Sequence, residues 1–183
     1  MFRKIPVLGA SLAVATLLLG TVGLSIAGEV KIVKVRDACE MASFDAMFGP
    51  GTCQQEEGKV TVGSFLAYVI QHHDHPLWRF NPESFDLPVG KQLVLENLGG
   101  EFHTWTEVVE FGGGIILPLN FGQATRPECG SPFVLAAPGP KNIFLEFGDV
   151  EVGPTAGSAD LPGGEHKFMC CIHPWMRTTV HVH

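Results

Sequence analysis

Positive charge is scarce in this chain. Its 183 residues carry 12 Lys and Arg against 19 Asp and Glu, a formal net charge of −7. That balance argues against a nucleic-acid partner and for a soluble acidic surface, one that would favour basic partners. The chain has no glycine-rich phosphate loop, no Ser/His/Asp arrangement in a nucleophile's context, and no pair of carboxylates framing a substrate. The usual signals of hydrolytic and phosphoryl-transfer enzymes are therefore missing. No repeat recurs at a solenoid period.

Apolar residues, by contrast, make up 45% of the chain, and Gly (22) and Pro (13) are plentiful. This suits one domain of short strands joined by turns, preceded by an export segment. Residues 1–27 read as a secretory signal. Arg3 and Lys4 form a basic start, an apolar run follows from Ile5, and Ser25-Ile26-Ala27 supplies small residues for cleavage. The apolar run is also long enough to span a bilayer, so an uncleaved membrane anchor at 5–27 is the alternative. Either way the chain is expected in the periplasm or outside the cell, where disulfides can form.

Residues 29–36 alternate apolar and polar and read as a strand. Residues 37–58 read as a loop holding Cys39 and Cys53. In TVGSFLAYVIQHH, Phe65, Leu66, Val69 and Ile70 share one helical face, and Thr61 or Ser64 can cap the start. Further strands are expected at 84–87, 92–97, 103–109, 142–147, 166–170 and 178–182, with Gly/Pro turns between them, which is the pattern of a β-sandwich. The Gly/Pro-rich stretches 111–141 and 148–164 are long for hairpin loops.

The chemistry concentrates in HKFMCCIHPWMRTTV, residues 166–180. Cys170, Cys171, His173 and Met176 follow one another closely. Thiolate, imidazole and thioether together select copper, and a trigonal Cys/His/His set with a weak axial Met makes an electron-transfer site. HKFMC reads as a strand, and Pro174 then forces a turn. Vicinal side chains on a strand face opposite ways, so one of Cys170 and Cys171 is expected to reach the metal. The second imidazole must come from upstream, and His103 in NLGGEFHTWTEV is the best candidate.

The pattern Cys-x2-His-x2-Met, followed by Arg and a β-branched strand, resembles the cupredoxins, the type 1 blue copper proteins. Its short loop, with Pro after the His, is similar to that of amicyanin and shorter than that of plastocyanin. The resemblance covers roughly residues 77–183. It implies an all-β, cupredoxin-like Greek-key sandwich, and residues 28–76 are expected to add an N-terminal extension of one strand, the disulfide loop and one short helix packed on that sandwich. It also implies one type 1 copper held by His103, Cys170, His173 and Met176. Family members usually carry Asn after the first His and Thr or Ser after the Cys, which tie the ligand segments together. Here Thr104 and Cys171 stand at those positions, which puts that tie in question.

Giving Cys170 to copper leaves four cysteines. Cys39 and Cys53 flank a Gly-Pro-Gly loop and are expected to pair, which would leave Cys129 with Cys171. One disulfide and two buried thiols is the open alternative. Among the remaining histidines, His72, His73 and His75 form an HHDH cluster that fits no rigid ligand template. His166, His181 and His183 read as surface residues. Trp105 shares a strand face with His103. His173, Pro174 and Trp175 are the expected electron port, with the outer edge of His173 near the surface. The expected function is electron transfer rather than enzymatic catalysis, with a c-type cytochrome or a membrane oxidoreductase as partner. A copper carrier or store using the same ligands is the alternative.

Overall fold

Alternation decides the strands. In β1 (Val30–Arg36) Val33 and Val35 are fully buried while their neighbours face outward, as a half-buried strand requires. The computed structural model describes residues 30–183; the expected signal or anchor at 1–27 lies outside them. After β1 come two helices, α1 (Met41–Phe48) and α2 (Val62–His72). The strands β2 (Arg79–Asn81), β3 (Ser84–Leu87), β4 (Gln92–Asn97) and β5 (His103–Val108) follow. A long excursion then carries the small ribbon of β6 (Gly130–Ser131) and β7 (Val134–Leu135). The chain closes with β8 (Asn142–Leu145), β9 (Val150–Thr155), β10 (Gly164–Met169) and β11 (Arg177–Val182).

Two sheets result, in the orders β2-β1-β4-β9 and β3-β11-β10-β5-β8. The chain changes sheet repeatedly, from β3 to β4, β4 to β5, β8 to β9 and β9 to β10, in the manner of a Greek-key sandwich. Between the sheets, Val33, Val35, Leu93 and Leu95 meet Leu87, Trp105, Leu145, Phe168 and Val180. Trp105 packs on Phe168 with ring centroids 4.5 Å apart, so this ring belongs to the core beneath the site.

Four expectations change. β1 lies inside its sheet, antiparallel to β2 and parallel to β4. The strand of segment 28–76 is therefore woven into the sandwich, and the helices cover it. The stretch 37–58 is not all loop, because α1 forms there. Glu40 caps it by accepting from the Ala42 and Ser43 amides, and Phe44 anchors it against Trp78 and Phe65. A helix of eight residues is too short for periodicity to reveal; packing and the cap make it. β9 occupies a stretch read as loop. Its Gly153 and Pro154 are tolerated because β9 is an edge strand paired with β4 alone. Finally, α2 starts at Thr61, whose hydroxyl accepts from the Ser64 amide, and buries Phe65 and Val69 but leaves Ile70 69% exposed. The covered stripe is narrower than the apolar one, and through Phe65 it meets Phe44, Trp78, His173 and Trp175.

The excursion 111–141 is ordered by two single 3-10 turns, Leu117–Leu119 and Pro127–Cys129, and by a small core of its own. Val108, Ile115, Cys129, Met169 and Cys171 are buried together there. Gly114 is obligatory at this contact, since a Cβ would lie 2.0 Å from the Cys171 carbonyl oxygen.

Candidate metal centre

The hairpin β10–β11 delivers the loop. Its ends are closed by backbone hydrogen bonds: the Cys170 amide donates to the Met176 carbonyl at 3.0 Å, and the Met176 amide to the His173 carbonyl at 2.9 Å. Arg177 clamps the turn from outside, donating Nε–H to the Pro174 carbonyl at 2.7 Å. β5 lies beside β10 and brings His103 to the same point. Cys170 Sγ is 3.7 Å from His103 Nδ1 and 4.0 Å from His173 Nδ1. The three donor atoms lie within 4.8 Å of one another, and all three residues are buried. Met176 is buried in the same apolar cluster as Cys170.

This donor set fits a copper ion. Metal bonds of about 2.0 Å to nitrogen and 2.3 Å to sulfur, set in one plane, separate N from S by about 3.7 Å. The spacings found are close to that value. One thiolate with two imidazoles is the soft trigonal set that copper prefers, and the Met176 thioether is buried in the core cluster that also holds Cys170.

Disulfides Cys39–Cys53 and Cys129–Cys171 are both formed, which leaves Cys170 as the free thiol. The tie between ligand segments survives through different atoms. The Cys171 amide donates to Thr104 Oγ1 at 2.8 Å. Thr104 bonds to the Thr106 hydroxyl at 3.0 Å, and Thr106 donates to Asn142 Oδ1 at 2.6 Å.

Behind His103 stands Asp37, which the sequence pattern does not single out. Its Oδ2 lies 2.8 Å from His103 Nε2 with both side chains fully buried. Asp37 also accepts from the amides of Cys39, Gly100 and Glu101. Burial works against its charge, but His103 and these amides hold its pKa down at about 2. The residues that could have signalled this are the two glycines of NLGGEFH. A Cβ on Gly99 would sit 2.0 Å from Asp37 Oδ2, and one on Gly100 would sit 2.6 Å from Cys39 Sγ. Burial alone would also lower the His103 pKa, yet Asp37 and Cys170 raise it to about 10. Burial likewise opposes the Cys170 thiolate, and the two imidazoles overcome it, taking its pKa well below the ordinary thiol value. The thiolate is thus ready for a cation, and binding at His103 Nδ1 would release a proton.

His173 is not at the surface. It is 3% exposed, and Pro174 is buried beside it. Phe65 from α2 presents its edge at 6.2 Å, and Trp175 does so at 5.5 Å. The outer nitrogen Nε2 faces Glu101 Oε2 at 3.8 Å rather than an apolar rim. The reason is tertiary: α2 reaches over the loop, which local sequence does not announce. Of the expected port, Trp175 is the half-buried member, and it lines a shallow cleft with His75, Trp78 and Arg177.

The HHDH cluster does not gather as a site among the described residues. His72 packs on Tyr68, His73 stacks on Phe121, and His75 packs on Trp78. His166 is buried rather than exposed, held between Glu107 and the Pro162 carbonyl.

No protein-family model matches the chain, and no curated protein matches it. Solved structures do. A purple cupredoxin from Nitrosopumilus maritimus is 18% identical, with 61% of this chain and 90% of that one covered and a TM-score of 0.38. A reduced amicyanin mutant is 16% identical over 57% and 73%, with a TM-score of 0.33. Plastocyanin from Dryopteris crassirhizoma is 13% identical over 84% and 100%, with a TM-score of 0.34. These likenesses are faint and concern the fold alone. The two facing sheets with Greek-key connections give this chain a cupredoxin-like fold.

Proposed function

We infer that this protein is an exported electron carrier in which His103, Cys170, His173 and Met176 would hold one type 1 copper, with the Met176 thioether as the weakest donor. The observation that carries the reading is the buried convergence of one free thiol and two imidazole Nδ1 atoms. Copper held there would supply a one-electron couple. The chain contributes rigidity. The disulfide at Cys171, the Thr104 bond and the Arg177 clamp hold the donors, so a change of charge moves little. Burial excludes water and small ligands, which suits electron transfer. It also disfavours the alternative of a copper carrier, whose cargo must leave readily. The partner is a redox protein such as a c-type cytochrome or a membrane oxidoreductase, meeting the molecule near Trp175. The acidic balance of the chain favours a basic docking face, with salt-dependent rates.

The test is the absorption spectrum of the copper-loaded, oxidised protein. An intense thiolate charge-transfer band, lost in Cys170→Ser and kept in Thr104→Ser, supports the reading. One-to-one copper binding without such a band overturns it.

A further inference from the structure

Each candidate ligand imidazole has a carboxylate behind it. His103 turns Nδ1 to Cys170 and Nε2 to Asp37 at 2.8 Å. His173 turns Nδ1 to Cys170 and Nε2 to Glu101 at 3.8 Å. The two acids are neighbours in one buried network. The Glu101 amide donates to Asp37 Oδ2, and the Glu101 carbonyl accepts from the Asn97 side chain. Trp78 Nε1–H donates to the same Glu101 oxygen that faces His173. Asp37 and Glu101 are both buried. A buried acid is costly unless something uses it. Asp37 has its full complement of donors, whereas Glu101 has one short bond to Trp78 and the outer edge of His173.

We propose that Asp37 and Glu101 are the positioning residues of the metal centre, acting as a pair, and that they bias the bound copper toward its oxidised state. The proposal rests on the reading of His103 and His173 as copper ligands. An acceptor at Nε2 fixes the imidazole with Nδ1 toward the metal and makes it a stronger donor. The two buried side chains also set oxygen atoms against the outer edges of both imidazoles, at 2.8 and 3.8 Å. They attract the doubly charged ion more than the singly charged one, and the low local dielectric strengthens that difference. His173 is thereby held from its outer side by an acid where a solvent-facing ligand would have water.

The experiment compares the full copper-loaded protein with Asp37→Asn, Glu101→Gln and Glu101→Asp. The first two keep volume, and Gln keeps an oxygen for Trp78. Cu(II) affinity, Cu(I) affinity and reduction potential are measured for each, with urea unfolding of the metal-free forms to separate folding from binding. Cu(II) affinity should fall about 10–100-fold in Asp37→Asn and Glu101→Gln. Cu(I) affinity should fall less, so both potentials rise. Glu101→Asp should stay nearer the parent than Glu101→Gln does. A residue that merely supports packing would change unfolding and leave the potential alone. Potentials at the parent's value in both amide variants overturn the proposal, as does an equal shift in Glu101→Asp and Glu101→Gln. A parent that takes up no copper at this site overturns the functional reading and this proposal together. With a parent that loads normally, unshifted potentials count against the carboxylates alone.

Discussion

Replacing Phe65 by Ala removes the ring that α2 lays over His173. Phe65 is 3% exposed and meets Phe44, Trp78, His75, His173 and Trp175 at centroid distances from 4.7 to 6.2 Å. Emptying a packed aromatic site costs about 3–5 kcal/mol, less where neighbours can close the gap. Trp175 is only half-buried, so it can settle part of the way in. The expected loss is therefore about 3 kcal/mol, which lowers the folding equilibrium constant about a hundredfold. Urea unfolding of the metal-free protein reads this directly, with Phe65→Leu as the partner that keeps most of the volume and loses less. A second measurement asks whether the ring is a lid. Cys170 is buried and its thiolate is favoured, so access sets its alkylation rate. Iodoacetamide should modify Phe65→Ala clearly faster than the parent under native conditions. A stability loss below about 1 kcal/mol together with parent-like alkylation would show that α2 does not seal the site.

Three further outcomes are expected. Met176→Leu should keep the charge-transfer band and raise the reduction potential, since a weak donor to the oxidised ion is lost; voltammetry decides, and an unchanged potential removes Met176 from the axial role. Breaking Cys129–Cys171 with Cys129→Ala opens a loop of sequence separation 42 and should cost about 4 kcal/mol by loop entropy, seen as a lower urea midpoint; an unchanged midpoint would mean that the excursion holds itself. The Glu107 pKa is lowered despite partial burial, because His166 and Lys141 bond to its carboxylate. Its stabilisation is present above the ordinary carboxylate value of 4.5 and is lost as pH falls through the lowered value. The Tm gap between the parent and Glu107→Gln should therefore narrow on acidification, and a gap that widens would contradict that sign.

Covalent spacing and short-range periodicity carried much of this molecule. The run from Cys170 to Met176 needs no distant information to turn back on itself. Pro174 breaks the strand, and the loop is closed by bonds between residues only a few positions apart. Period-two alternation marked β1, β3, β4 and β11 almost to the residue, because one face of each must be buried, and the start of α2 was narrowed to Thr61 or Ser64, of which the structure uses Thr61. The opposite facing of neighbours said only that one of Cys170 and Cys171 reaches the site; spacing to His173 and family likeness chose Cys170. Other features had no local signal. Asp37 and His103 are far apart in sequence, and they meet because β1 runs parallel to β4 and the chain then wraps Gly99 and Gly100 around the carboxylate. Glu101 reads as an ordinary charged loop residue until Trp78 and His173 close on it. β9 hides behind its Gly and Pro because an edge strand tolerates both. The burial of His173 was decided by where α2 comes to rest, and an amphipathic pattern states which face of a helix is buried but not what it is buried against. The candidate donors that the structure brings together could therefore be named from sequence, while what encloses them and what stands behind them depended on sheet order and packing between distant segments.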